Sequence, residues 1–106
     1  MKVLLDECLP IDFRHRLPGH EVHTAEWAGY KGLKNGELLQ EADEAGYDAL
    51  LTIDQGVRHQ QNLIGRRIAI VVVRARTNQV EDLLAKVDAI LDALAKLRPG
   101  HVSFAL

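Results

Sequence analysis

One cysteine, Cys8, is all that 106 residues contain, which excludes an internal disulfide and a cysteine-based zinc cluster. Long apolar runs are also missing. The longest uninterrupted one, Ile68 to Val73, falls far short of a membrane span. No charged-then-apolar leader opens the chain, because Asp6 and Glu7 interrupt it at once. Internal repeats, low-complexity tracts and linkers are lacking, so residues 1–106 read as a single domain. Hydrophobic residues make up 47% and charged residues 26%, a balance that excludes disorder, collagen and coiled coil. A chain of this size buries roughly two-thirds of its unfolded surface and holds a core without staples. The expected compartment is the cytoplasm, with no membrane partner.

Acidic residues are absent from Gln55 to Val80, where there are five arginines. Met1 to Asp54 carries −6, this basic middle +5, and the remainder −1, within a net charge of −2. The total argues against a simple polycationic nucleic-acid binder. The unevenness suits a protein that holds metal ions with carboxylates and phosphates with arginines, although many ordinary domains share it.

Periodicity places the elements. Lys2–Leu5 reads as a buried strand. Pro10 suits the first turn of a helix whose Ile11, Phe13 and Leu17 face inward, stopped by Pro18 and Gly19. Glu21–Ala25 alternates as a second strand, and Ala28–Gly36 is a glycine-containing loop. A helix from about Asn35 to Ala45 carries Leu38, Leu39 and Ala42 and ends at Gly46. Asp48–Ile53 is a third strand, and Asp54 caps a helix running to about Leu63. Ile68–Val73 is a strand buried on both faces. Asn78 and Glu81 form a capping-box pair at the start of one long helix. Its stripe is Val80, Leu83, Leu84, Val87, Ile90, Leu91, Leu94 and Leu97. Pro99 and Gly100 end it before a terminal strand, His101–Ala105. Alternating strands and helices imply a three-layer α/β domain with a five-stranded, mostly parallel sheet; with the first and third strands as neighbours and the second outside the first, its order would be 2-1-3-4-5.

Ligands of such sheets bind beyond the carboxyl ends of the strands, where the order reverses. Asp6 and Asp54 follow the first and third strands, so both face that crevice. Crowded carboxylates are relieved by a hard divalent cation, Mg2+ or Mn2+. Glu7 lies one residue on, and Glu37 sits in the first turn of its helix, where an acid also simply favours the dipole. Asp54 as a plain helix cap is the bland alternative. His15, His20, His23, His59 and His101 show no metal-ligand spacing, and Cys8 reads as a small packed residue. Arg58, His59, Gln60, Gln61 and Asn62 make a polar segment beside the crevice, and Arg74 and Arg76 end the fourth strand. An acidic cleft rimmed by arginines suits a phosphodiester.

The run Leu4-Leu5-Asp6-Glu7-Cys8-Leu9-Pro10 resembles the opening of small bacterial PIN-like proteins, which usually have Asn at the Cys8 place. The resemblance continues through Asn35-Gly36-Glu37-Leu38-Leu39, Leu51-Thr52-Ile53-Asp54-Gln55, Gln60-Gln61-Asn62-Leu63, Arg74-Ala75-Arg76 and Arg98-Pro99-Gly100. These proteins are related to the toxin ribonucleases of toxin–antitoxin modules and to the carboxyl-terminal PIN-like domain of the Mut7 exonuclease. The resemblance implies a PIN-like fold and a Mg2+- or Mn2+-dependent ribonuclease with Asp6, Asp54 and Glu37 as catalytic and metal-holding acids. Glu7 would be an auxiliary ligand, and the polar residues read above beside the crevice, Arg58, His59, Gln61, Asn62, Arg74 and Arg76, are those expected on the RNA. It also implies a small antitoxin as protein partner, while a homodimer stays open. Many relatives carry an acid where this chain has Gly56, so Glu7 or Glu41 would have to substitute. Two other readings are a PIN-like module that binds without catalysis, and a phospho-accepting receiver domain built on Asp6, Glu7 and Asp54. The receiver lacks its Ser or Thr, replaced by Arg74-Ala75, and its final Lys.

Overall fold

The structure, a computed structural model, describes residues 1–54, 63 and 65–106. Five strands form one parallel sheet in the order β2-β1-β3-β4-β5. They are β1 (Lys2–Leu5), β2 (Glu21–Thr24), β3 (Ala49–Thr52), β4 (Ala69–Val73) and β5 (Val102–Ala105). The helices are α1 (Asn35–Glu44), α2 (Val80–Leu84) and α3 (Val87–Ala95), with a 3₁₀ helix over Ile11–His15. The expected three-layer α/β fold and strand order are therefore present, and every strand pair is parallel.

Side-chain alternation sorts the core. Val3, Leu5, Ala49, Leu51, Val71 and Val73 face a layer made of Phe13 and Leu17 with Leu83, Ile90 and Leu94. Leu4, Leu50, Ile70 and Val72 face the other layer, where α1 supplies Leu38, Leu39 and Ala42. With both faces covered, β3 and β4 are buried throughout, as a parallel sheet requires. Gly46 closes α1 at φ +84°. Its N–H bonds Asp43 O at 3.1 Å, and the Tyr47 N–H bonds Ala42 O at 3.0 Å, a complete Schellman motif.

Three expectations are corrected. Pro10 is extended and precedes a five-residue 3₁₀ helix rather than opening an α-helix. That short element buries Phe13, whereas Ile11 is 50% exposed. The long final helix is two, broken at Ala85–Lys86. A straight helix from Val80 to Leu97 would run about 27 Å, against about 17 Å for the five residues of β4. The break lets α2 pack on the 3₁₀ helix while α3 packs on β4 and β5. The capping box does not form: Gln79 is the N-cap without a side-chain bond, and Asn78 Nδ2 donates instead to Cys8 O at 3.2 Å. The expected helix from Asp54 to Leu63 falls on residues outside those described. Among the described residues no helix is long and apolar enough to cross a membrane.

Candidate functional site

The chain passes from β1 outward to β2 and returns past β1 to β3, so the order reverses between β1 and β3. The register pairs Leu5 with Leu51, and the Asp6 N–H continues the ladder to Leu51 O at 3.0 Å. Asp6 thus stands opposite Thr52 at the carboxyl edge. Thr52 is completely buried and its hydroxyl joins the two strand ends. It donates to Asp6 Oδ2 at 2.7 Å and accepts the Asp54 N–H at 3.0 Å. Asp6 Oδ1 accepts the Glu7 N–H at 2.8 Å. One side-chain hydroxyl therefore fixes the Asp6 carboxylate and holds the Asp54 backbone beside it.

Cys8 completes this knot. Its Sγ lies 3.6 Å from Asp6 Oδ2 and 3.5 Å from Thr52 Oγ1. The Thr52 proton is committed to Asp6, so the thiol proton is left to bridge the two oxygens. Burial pushes the Cys8 thiol up, and the Asp6 charge adds to it against hydrogen bonds that lower it. A protonated, half-buried thiol is a packing group and not a nucleophile.

The other acids are spread along the same edge. Glu7 is exposed, and its Oε1 accepts the Gly32 N–H, strapping the loop after β2 to the site. Glu37 is exposed in the first turn of α1. Among the described residues no three His, Cys, Asp or Glu side chains converge as a metal-holding group. The site accordingly brings together Asp6 and Asp54 at neighbouring strand ends and does not gather Glu7 and Glu37 with them into a cage. Two carboxylates still suit Mg2+, which keeps several waters and is commonly held by one or two carboxylates plus substrate phosphate.

Arg74 follows β4, with its N–H on Ala105 O at 2.9 Å and its guanidinium 5.0 Å from the Phe104 ring centroid. Strand-end order thus runs Asp6, Asp54, Arg74 across β1, β3 and β4. Arg76 is exposed beyond it. Arg58, His59, Gln61 and Asn62, like Gly56, lie outside the described residues. His23 is held by the Tyr47 hydroxyl at 2.8 Å, and burial lowers the pKa of His20, with the chain's amino terminus adding to it.

Two shallow clefts flank Glu7. One, of 170 Å³, is lined by Asp6, Thr24, Ala25 and Lys31 among others. The second, of 260 Å³, lies beside Cys8, Pro10 and Asn78. Sequence reasoning missed Thr52. Its one signal is a lone hydroxyl in the apolar run Leu50-Leu51-Thr52-Ile53, two residues before an acid. No family model matches the chain, and neither curated proteins nor solved structures include a match to it.

Proposed function

We propose that the chain is a PIN-like ribonuclease that hydrolyses phosphodiester bonds in RNA with Mg2+ or Mn2+, acting in the cytoplasm as the toxin of a toxin–antitoxin pair. The observation that carries this reading is the Asp6–Thr52–Asp54 arrangement at the point where strand order reverses, with Arg74 on the next strand end. Asp6 and Asp54 would hold the ion, while Glu37, exposed in the first turn of α1, stands apart from that pair. When bound, the metal supplies a nucleophilic water at neutral pH and neutralises charge on the phosphate. Thr52 keeps the Asp6 carboxylate in one orientation, so binding an ion costs little reordering. Arg74 supplies a phosphate contact alongside.

The decisive experiment is RNA cleavage by the purified chain, free of any antitoxin, in Mn2+ and in EDTA. Cleavage in Mn2+ that stops in EDTA and is lost in Asp6→Asn and Asp54→Asn supports the reading. Cleavage that persists in both variants points to a contaminating nuclease and refutes it. A second reading, a PIN-like module that binds RNA or a partner without catalysis, is favoured by the absence of a three-acid group among the described residues. It expects RNA binding with no cleavage. The receiver reading shares the strand order and expects phosphate uptake at Asp54 from acetyl phosphate, with no response to RNA.

A further inference from the structure

A groove of 360 Å³ runs beside β2, lined by Ile11 and Arg14 of the 3₁₀ helix, Val22 and His23 of β2, and Trp27 of the following turn. It shares Ile11, Thr24 and Glu26 with the cleft beneath Asp6, so the two meet along one stretch of surface. Trp27 is the chain's single tryptophan and is 71% exposed. Its ring packs on His23, centroids 4.1 Å apart and planes tilted by 33°. One indole face is thus covered and the other is open.

The platform is held from beneath. His23 Nδ1 meets the Tyr47 hydroxyl at 2.8 Å, and its Nε2 lies 3.5 Å from Glu21. The Trp27 N–H donates to Thr24 Oγ1 at 3.0 Å, and the Ala28 N–H to Thr24 O at 3.1 Å. An aromatic ring set in a fixed turn loses little freedom when a flat ligand lands on it. Arg14 donates one hydrogen bond, to Ile11 O at 3.1 Å, and among the described residues no carboxylate pairs with it. A guanidinium has five N–H donors, so most of its donors remain for a ligand. Glu26 is offset by Lys31 at 4.0 Å.

We propose that this groove is a base-stacking subsite for single-stranded RNA. One nucleobase lies on the open face of Trp27, Arg14 holds the adjoining phosphate, and the strand continues through the shared cleft to Asp6. The proposal rests on the ribonuclease reading and adds to it the place where a base is held. An extended peptide is the poorer occupant, because Thr24 O on the open edge of β2 is already taken by Ala28. The groove is close to neutral, so stacking rather than phosphate charge carries the affinity.

The test is titration of the chain with hexa-adenylate RNA in EDTA, where metal-dependent cleavage is off, following the fluorescence of Trp27 and the anisotropy of labelled RNA. Binding should quench the tryptophan. Trp27→Ala should weaken binding about thirtyfold, the middle of the range for one stacked base, with an unchanged unfolding midpoint. Trp27→Phe should recover part of the loss. Replacing adenines by abasic residues should abolish the quenching, and the salt slope should be near −0.7, about one phosphate. Undiminished affinity in Trp27→Ala, or anisotropy that rises without quenching, overturns the subsite while leaving the nuclease reading intact. Quenching by hexa-adenylate without RNA cleavage in Mn2+ does the reverse. Quenching by a Val-Thr repeat peptide and not by RNA assigns the groove to strand addition and also overturns the proposal.

Discussion

Aspartates sit at both ends of the same sheet and are used in opposite ways. At the amino edge, Asp48 Oδ2 accepts the Lys2 N–H at 2.8 Å, and Asp43 Oδ1 accepts the N–H groups of Arg67 and Ile68 at 3.1 and 2.9 Å. These carboxylates terminate backbone ladders where β1 and β4 begin. At the carboxyl edge, Asp6 is oriented chiefly by a side chain, Thr52, and Asp54 is placed through its own N–H. The first pair is bound to the fold through main-chain donors. Asp6 instead joins two strand ends, taking the Thr52 hydroxyl on one oxygen and the Glu7 N–H on the other. Acid content alone therefore does not say what an aspartate does in this fold; the elements its partners belong to do.

Substitutions at the two edges should separate effects on cleavage from effects on stability. The largest effect belongs to Asp6→Asn. It should cut Mn2+-dependent RNA cleavage by more than about 100-fold, since losing merely an outer partner of a metal ligand costs up to that much. Its unfolding midpoint should stay near wild type, because Asn keeps an acceptor for Thr52. A variant that melts early but still cleaves would collapse the distinction. Thr52→Val comes next. It leaves the part-buried Asp54 N–H without its Thr52 acceptor and frees the Asp6 carboxylate, so cleavage should fall roughly 10- to 100-fold. Stability should drop by about 1–2 kcal/mol in urea unfolding.

Asp43→Ala should act on stability alone. Two amides lose their acceptor, a cost of about 1–3 kcal/mol, offset by roughly 0.5 kcal/mol of helix propensity gained in α1. The midpoint should fall by about 2–15 °C, with cleavage per folded molecule unchanged. The smallest effect is at Cys8. Its thiol is raised above the ordinary value of 9.0, so the folded state favours the protonated form. That contribution is present below the ordinary thiol value and is lost as pH rises above it. Iodoacetamide labelling should therefore be slow at neutral pH and should climb only at a pH above that of a free cysteine. Labelling that plateaus near neutral pH would contradict the packing role.

Much of the fold was legible because it is written in short-range pattern. The β-branched run of β4, the Leu38-Leu39-Ala42 spacing and Gly46 each state their element locally, and their alternation states the parallel sheet, while its order required placing the first and third strands side by side. Tertiary partners were not legible. Asn78 looked like a cap, but its amide is used seventy positions away on Cys8 O. The apolar stripe after Val80 gave no hint of its break, since both halves present the same residues and only the length of the sheet forces the bend. At the site, strand-end position identified Asp6 and Asp54. The role of Thr52 depends on register between β1 and β3, which no local pattern encodes. Asp43 and Asp48 were equally mute, because an acid that accepts backbone amides reads like any other acid.

The all-parallel order carries a consequence for how the molecule comes into being on the ribosome. Parallel neighbours cannot be joined by tight hairpins, and Asp6 meets Thr52 across 46 positions of sequence. Closing so long a loop is entropically opposed until the strands on either side reward it. A nascent chain that has emerged as far as Asp54 already contains Asp6, Glu7, Glu37 and Asp54, yet β3 then lacks β4, its second neighbour in the sheet. The acids are thus synthesised before β4 and β5, the two strands that complete the sheet around them.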